Sequence, residues 1–162
     1  MRVAIAYDHR GRKGAEHVKS AIEAHGYECV DLGPKEEVMC DCPDFAYVAG
    51  TAVVRKEADT AVLLCTTGVG MSMSANKIKG VRAARCCDEF DARAARIQFD
   101  ANVLCLSGEM LGENELKRIV EVWLDTAYEE RERSRRLIRE IEAIEAGGDP
   151  RQVTHAGAAG EG

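Results

Sequence analysis

The sequence predicts an α/β fold: a single doubly wound, Rossmann-like sheet of five parallel strands, with helices on both faces and an extra helix at the C-terminus. Two observations predict it. Apolar, β-prone runs alternate five times with segments that carry apolar residues at helical spacing, which is typical of a parallel sheet covered on both faces. The run TAVLLC at 60–65 is also apolar almost throughout, as a central parallel strand is.

Each element has a local justification. The first strand is RVAIAY at 2–7, and a helix at 12–25 follows with Val18 and Ile22 on one side. Gly26 closes that helix, as a glycine after a last helical turn commonly does. The other predicted elements are a strand at 27–32, a helix at 44–56, a strand at 60–65, a short helix at 71–77, a strand at 81–86, a helix at 89–98, a strand at 102–106, and helices at 113–127 and 129–145.

The length suits one domain. The chain has 162 residues, enough for one hydrophobic core, and no linker divides it. We expect the domain to span 1–145 and the glycine- and alanine-rich segment 146–162 to be a disordered tail. No apolar stretch approaches the roughly 20 residues that span a bilayer, and the N-terminus turns charged at once, so we expect a cytoplasmic protein without a membrane partner.

Charge and cysteine content narrow the function classes. The formal net charge of −6 disfavours nucleic acid as a partner, and it requires local amides or arginines to hold any anionic ligand. Seven cysteines, an odd number without a secretion signal, argue against a disulfide framework. Cys40 and Cys42 form C-x-C, and Cys86 and Cys87 are adjacent; neither has the spacing of a structural zinc site, so we expect no metal.

Reactive side chains follow two strands. Asp8 and His9 end the first strand, while Cys65 ends the third and is followed by a turn with Gly68 and Gly70. In a doubly wound sheet these two strands can lie side by side at the switch point, where ligands bind. Backbone N–H groups of the glycine turn could approach an anion or a hydroxyl, and Cys65 could act as a base or nucleophile.

Structural, non-catalytic interpretations of these residues stay open. Cys65 could be a packing residue, Asp8 could cap the helix at 12–25, and His9 could be a surface loop residue. The turn lacks the third glycine of a dinucleotide fingerprint and the lysine–hydroxyl pair of a P-loop. Taken singly, these signals indicate only an α/β domain that binds a small ligand.

Taken together, the motifs are more specific. The chain resembles the ribose-5-phosphate isomerase B family, which includes the galactose-6-phosphate isomerase subunits, from Met1 to about Ile141. The segments that carry the resemblance are VAIAYDHRG at 3–11, DCPDFA at 41–46, CTTGVGMSMSANK at 65–77, GVRAARCCDEFDARAAR at 80–96, DANVLCLSG at 100–108 and WLDTAYEERERSRR at 123–136.

The resemblance implies an aldose–ketose isomerase that needs no cofactor. By resemblance, Cys65 is the base that moves a proton between C1 and C2 of an open-chain sugar through a cis-enediol. Thr66, Thr67 and the segment Gly68–Val69–Gly70 match the loop that binds the enediolate oxygen, with Thr67 counted among the catalytic residues. Asp8 and His9 match the pair that binds hydroxyls at the far end of the sugar and helps open the ring.

Other positions depart from the family pattern. Gln98 and Phe99 stand where the family often has a histidine–asparagine pair, and glutamine cannot carry a proton. Glu109 stands where an arginine is frequent. For the phosphate, Arg136 matches a family arginine. Glu132 and Arg133 stand in place of the family's arginine–histidine pair, and either Arg131 or Arg133 is a candidate for the second arginine.

Three functions therefore compete. The first is the interconversion of ribose 5-phosphate and ribulose 5-phosphate; the second is the same reaction on a tetrose or hexose phosphate or an unphosphorylated sugar. The third is a noncatalytic sugar-binding module. An apolar stripe on the last helix, with Ile141 and Ile144, must pack against another surface, and the resemblance implies a homodimer or a dimer of dimers with shared active sites.

Overall fold

The predicted α/β fold is confirmed. The computed structural model describes residues 1–153, and five parallel strands form one sheet in the order β2-β1-β3-β5-β4. The strands are β1 Arg2–Tyr7, β2 Glu28–Asp31, β3 Thr60–Cys65, β4 Ala83–Arg85 and β5 Val103–Ser107. The helices are α1 Arg12–Ala24, α2 Cys42–Val54, α3 Val69–Ala75, α4 Glu89–Phe99, α5 Glu113–Asp125 and α6 Glu132–Glu145.

Helices cover both faces of the sheet because the strand side chains alternate between two apolar clusters. Val62 and Leu64 of β3 belong to the cluster formed with α1, α4 and α5, while Leu63 and Cys65 belong to the cluster formed with α2 and α3. All six residues of β3 are buried, which confirms it as a central strand. Leu63 and Leu64 are both fully buried, and truncating either to alanine would cost about 2–5 kcal/mol.

Two element boundaries differ from the prediction for identifiable reasons. Helix α3 begins at Val69 rather than 71, because Gly68 adopts φ 76° and turns the chain directly into the helix. Strand β4 is Ala83–Arg85 rather than 81–86. At Arg82, the backbone N–H donates to the side-chain oxygen of Asn102 at 2.8 Å and so makes no ladder bond there.

A polar cluster joins the exposed edge strand β2 to β1. The Asp31 carboxylate accepts hydrogen bonds from the Tyr7 hydroxyl at 3.1 Å, the Lys19 ammonium at 2.9 Å and the Gly33 amide at 2.9 Å. Burial alone would raise the pKa of Asp31, but the bonds from Lys19 and Gly33 outweigh it, so the net pKa lies below its ordinary value.

The C-terminal part only partly follows the prediction. Helix α6 begins at Glu132 rather than 129 and packs on α4, but Ile141 and Ile144 of its apolar stripe remain 37% and 60% exposed. A short 3₁₀ turn follows at Pro150–Gln152, within the segment predicted to be a tail; 154–162 lie outside the described residues. No helix within 1–153 is long and apolar enough to cross a membrane.

Candidate active site

The switch point of the sheet brings the ends of β1 and β3 together. Strand order reverses between them, Tyr7 pairs with Leu64, and the Asp8 amide donates to the Leu64 carbonyl at 3.2 Å. Asp8 and Cys65 are only 7% and 5% exposed. One carboxylate oxygen of Asp8 and the Cys65 sulfur lie within 4.8 Å of each other, so the structure places these two predicted site residues side by side.

The thiol of Cys65 is enclosed by its own turn. Its sulfur accepts the Gly68 N–H at 3.2 Å, which is possible because the left-handed Gly68 folds the chain back over the strand end. In the part of the chain that the structure describes, the amides of Gly70 and Met71 have no hydrogen-bond acceptor. The turn therefore places a donor on the sulfur and leaves two further donors for a ligand.

The hydroxyl of Thr67 is also on this turn. Thr67 is half-buried, and its Oγ1 accepts the Val69 N–H at 3.3 Å. Because that bond uses the hydroxyl as an acceptor, its proton stays available to a ligand oxygen. Thr66 is half-buried and Val69 is exposed. The predicted residues 66–70 therefore form the turn after β3 and the first residues of α3.

Two residues that sequence reasoning missed hold this turn in place. The buried Ser107 donates its hydroxyl to the Thr66 carbonyl at 2.6 Å, and Arg85 donates Nε to the Thr67 carbonyl at 2.8 Å. Ser107 ends β5 and Arg85 ends β4, so both arise from neighbouring strand ends. The only sequence signal is their position at the carboxyl ends of predicted strands.

Asp8 also orders the chain before α1. Its Oδ1 accepts the N–H groups of Arg10 and Gly11, both at 2.9 Å, and α1 starts at the next residue. Asp8 is therefore not the helix cap, since the N-cap of α1 is Gly11 and has no side-chain cap bond; Asp8 shapes the turn before the helix, which is compatible with a second role for its carboxylate in the pocket.

His9 lies on the rim of the site. It is exposed, and its Nδ1 lies 3.1 Å from the Cys40 carbonyl and 3.3 Å from the Cys40 amide, so one of these two bonds forms, depending on the tautomer. Either bond fixes the ring and leaves Nε2 for a ligand.

A groove of about 970 Å³ runs from His9 between the start of α1 and the β5–α5 loop. Its charged lining includes Arg10, Lys13, His17 and Glu109. Glu109 forms a 3.1 Å ion pair with Arg10. The acid that departs from the family pattern is therefore paired with a cation across the groove.

Cys42 is a third reactive group that sequence reasoning did not place here. It is the first residue of α2, and its sulfur lies within 4.8 Å of both the Cys65 sulfur and an Asp8 oxygen. Burial raises the pKa of the Cys42 thiol, and the neighbouring Cys65 and Asp8 raise it further. Among the described residues, these three are the only group whose ligand atoms approach one another closely enough to hold a metal ion.

The remaining predicted residues lie at the amino-terminal ends of the strands, opposite the end that carries Cys65. Gln98 and Phe99 end α4 and precede β5, whose Val103 pairs with Ala61. Ala61 is four residues before Cys65, so this end lies about 13 Å from the thiol along the strand. One chain therefore does not bring Gln98 or Phe99 to the Cys65 pocket.

Arg133 and Arg136 lie on α6, which packs on α4 at that same side. Arg133 is exposed and forms no ion pair within 1–153. The Nε of Arg136 is buried without a hydrogen-bond partner among these residues, since the Glu140 carboxylate at 3.6 Å is too distant for one. A buried guanidinium nitrogen without a hydrogen-bond partner is costly.

The fold and the geometry together define an α/β protein with a buried thiol–carboxylate pair at the switch point of a doubly wound sheet. The chain belongs to the ribose/galactose isomerase family, whose sequence model matches residues 3–141. The family resemblance carried by the sequence motifs is thereby confirmed.

Named relatives cover nearly the whole chain. Ribose-5-phosphate isomerase B of Escherichia coli is 33% identical over 144 residues, which is 89% of this chain and 96% of that protein. D-erythrulose-4-phosphate isomerase 2 of Mycolicibacterium smegmatis is 29% identical over 149 residues, 90% of this chain and 97% of that protein. Among solved structures, type B ribose 5-phosphate isomerase from Trypanosoma cruzi superposes with a TM-score of 0.88 at 38% identity, covering 91% of this chain and 99% of that one.

Proposed function

We propose that this protein is an aldose–ketose isomerase that interconverts ribose 5-phosphate and ribulose 5-phosphate through a cis-enediol, with Cys65 as the base. The observation that carries the proposal is the buried Cys65 thiol, with the Gly68 N–H on its sulfur and an Asp8 oxygen within 4.8 Å. Membership of the isomerase family supports the reaction class, and the Escherichia coli relative supports the substrate.

The proton transfer follows from the geometry of the turn. The Cys65 thiolate removes the proton from C2 of the open-chain aldose, and the electron pair moves through the new C1–C2 double bond onto the carbonyl oxygen. The Thr67 hydroxyl and the free amides of Gly70 and Met71 stabilise that negative oxygen. Cys65 then returns the proton to C1. The proton of the C2 hydroxyl passes to the negative C1 oxygen, so C1 carries a hydroxyl and C2 a carbonyl, which gives the ketose and restores the thiolate.

Ring opening is assigned to the other half of the pocket. Asp8 binds a sugar hydroxyl through its carboxylate, while the free Nε2 of His9 moves the proton between the ring oxygen and the anomeric hydroxyl. His9 can do this because its Nδ1 is bound to the Cys40 backbone, which fixes the ring. Gln98 has no titratable proton to share in this step.

The working enzyme is proposed to be a homodimer, alone or paired into a tetramer, with shared sites. Gln98, Phe99 and Arg136 can reach a Cys65 pocket only on a second copy, because they lie at the opposite end of the strands in their own chain. Exposed apolar side chains near the pocket support such contact: Tyr47, Val48, Val69 and Met73 are 44–63% exposed.

Mixing inactive variants tests the shared site. Cys65→Ser and Arg136→Met should each be nearly inactive as homodimers. After co-refolding in equal amounts, half the dimers are mixed and each contains one intact site, so activity should return to about one quarter of the wild-type value. Mixtures that stay inactive, although light scattering shows a dimer, would show that Arg136 does not complete the site of a second copy.

A different sugar, either a tetrose or hexose phosphate or an unphosphorylated sugar, is the second candidate, and the Arg10–Glu109 pair favours a substrate that places hydroxyls rather than a phosphate in the groove. Glu109 cancels the charge of Arg10 in the groove, so the groove binds a phosphate less strongly than an unpaired arginine would. The Mycolicibacterium smegmatis relative supports a tetrose phosphate, which exists as an open chain and requires no ring opening.

The proposal is tested by comparing kcat/KM for ribose 5-phosphate, D-erythrulose 4-phosphate, galactose 6-phosphate and unphosphorylated ribose. The proposal expects the highest kcat/KM with ribose 5-phosphate. If kcat/KM for the tetrose phosphate exceeds that for ribose 5-phosphate more than tenfold, the proposed substrate is wrong while the proposed reaction stands. No turnover of any sugar would leave a noncatalytic sugar-binding module, which predicts that Cys65 reacts with thiol reagents no faster than the exposed Cys87 and is not protected by ribose 5-phosphate.

A further inference from the structure

Three side chains from separate elements meet at the base of the pocket. Asp8 follows β1, Cys42 begins α2 and Cys65 ends β3. One ligand atom from each, a carboxylate oxygen and two sulfurs, lies within 4.8 Å of the other two. Because each side chain is fixed by a different rigid element, the arrangement does not depend on a flexible loop.

The donor set has a clear metal preference. Two thiolates and one carboxylate are the ligands of a borderline-soft divalent cation such as Zn²⁺, whereas Mg²⁺ and Ca²⁺ require oxygen ligands. In a tetrahedral zinc site the ligand atoms lie about 3.5–3.8 Å apart, given metal–ligand bonds of about 2.0–2.3 Å. From the 4.8 Å upper limit of the observed spacing, the ligand atoms must therefore approach by about 1.3 Å at most, which small side-chain rotations can supply.

The two flanking ligands, Cys42 and Asp8, are held close to Cys65 by their surroundings. The Cys42 sulfur lies where a side chain on Gly70 would be, since an added Cβ would come 2.5 Å from it. Asp8 is anchored through Oδ1 by the Arg10 and Gly11 amides. Gly70 thus makes room for a second thiol beside Cys65, which the proposed isomerisation does not use.

We propose that Asp8, Cys42 and Cys65 form a binding site for a thiophilic divalent cation of the Zn²⁺ type, with water in the fourth position. Both thiols lose their protons when the cation binds, so affinity rises with pH. Cation binding does not depend on the proposed function. Its consequence does: a bound cation occupies the Cys65 electron pair that would accept the C2 proton, and therefore inhibits the isomerase.

The site is tested by titrating the whole chain with cobalt(II) while a phosphine keeps the thiols reduced. A thiolate-to-cobalt charge-transfer band reports bound thiolate, and strong visible bands report tetrahedral coordination. The wild type should bind one equivalent, and Zn²⁺ should displace the cobalt. Cys42→Ala should raise the dissociation constant at least about tenfold, as loss of a ligand does. Cys29→Ala is the matched control; burial raises the pKa of Cys29 to about 11, and it lies on β2, so this variant should bind like the wild type.

Activity is measured on the same samples. If the wild type isomerises a sugar phosphate, Zn²⁺ should abolish turnover, and Cys42→Ala should require at least about tenfold more Zn²⁺ for half-inhibition. Absence of a charge-transfer band in the wild type, or equal affinity in Cys42→Ala, would refute the site. A tightly bound cation that leaves turnover intact would refute its inhibitory role. If no sugar is turned over, the cobalt spectra still decide on the site while the isomerase proposal fails separately.

Discussion

Gly11→Ala is the sharpest test of how the fold shapes this pocket. Gly11 has an ordinary backbone conformation, φ −78° and ψ −14°, so alanine introduces no conformational strain. Its effect comes from contact alone. An added Cβ would lie 2.4 Å from the Leu64 carbonyl oxygen and 2.6 Å from the carbonyl carbon.

The stability loss of Gly11→Ala depends on which part of the backbone moves to relieve the contact. The Leu64 backbone belongs to the central strand β3, paired with β1 and β5, and it cannot retreat by the roughly 1 Å required. The turn of 8–11 must move instead, which stretches the 2.9 Å bond from the Gly11 amide to Asp8. We expect a loss of about 3 kcal/mol in unfolding free energy and a fall in Tm of about 6–12 °C.

The assay is chemical denaturation together with isomerase kinetics, and Gly26→Ala is the matched control. Gly26 has φ +75° and no atom within 4 Å of an added Cβ, so alanine there costs only conformational strain, about 1 kcal/mol, and leaves activity intact. Gly11→Ala should lose both stability and activity, since Asp8 shifts. If Gly11→Ala is as stable as Gly26→Ala and fully active, the contact argument is wrong.

Three further substitutions probe other contacts. Ser107→Ala removes the 2.6 Å bond to the Thr66 carbonyl inside the protein; denaturation should show a loss of about 1–3 kcal/mol, and kcat should fall more than KM rises. Glu109→Gln frees Arg10, so KM for a sugar phosphate should fall with a stability change below about 1 kcal/mol; an unchanged KM would exclude the groove from phosphate binding. Asp31→Asn should destabilise the fold at pH 7, because the pKa of Asp31 is lowered in the fold and its carboxylate stabilises the fold while ionised. The difference in unfolding free energy between variant and wild type should vanish as the pH falls below the ordinary carboxyl pKa of about 3.9. A difference that persists at low pH would contradict this assignment.

Periodicity predicted the architecture well because each strand and helix carries its own signal. The buried run at 60–65 is the central strand, and the glycine-rich segment after it is the turn over Cys65. The pairing of strands 1 and 3 followed from the rules of doubly wound sheets, and it brought Asp8 beside Cys65. The patterns within each segment and the rule for doubly wound sheets were sufficient to predict that Asp8 and Cys65 lie together.

The other contacts could not be predicted because they depend on distances between elements that are remote in the chain. The C-x-C spacing of Cys40 and Cys42 does not indicate a metal site. Only the packing of α2 against Gly70 brings the Cys42 sulfur close to Cys65. Ser107 and Arg85 act through backbone carbonyls, which leave no residue pattern. Gln98 and Arg136 lie away from the pocket of their own chain, so their place in the site stays a prediction.

Isomerisation in D₂O, followed by NMR, tests most directly whether Cys65 moves the proton. Starting from ribose 5-phosphate, exchange of the thiol proton with solvent during the enediol stage should place deuterium at C1 of ribulose 5-phosphate. Cys65→Ser should slow turnover by about 10²–10⁴-fold, the usual contribution of a positioned general base, while keeping its fold. Product without solvent deuterium together with a fully active Cys65→Ser would contradict the central claim.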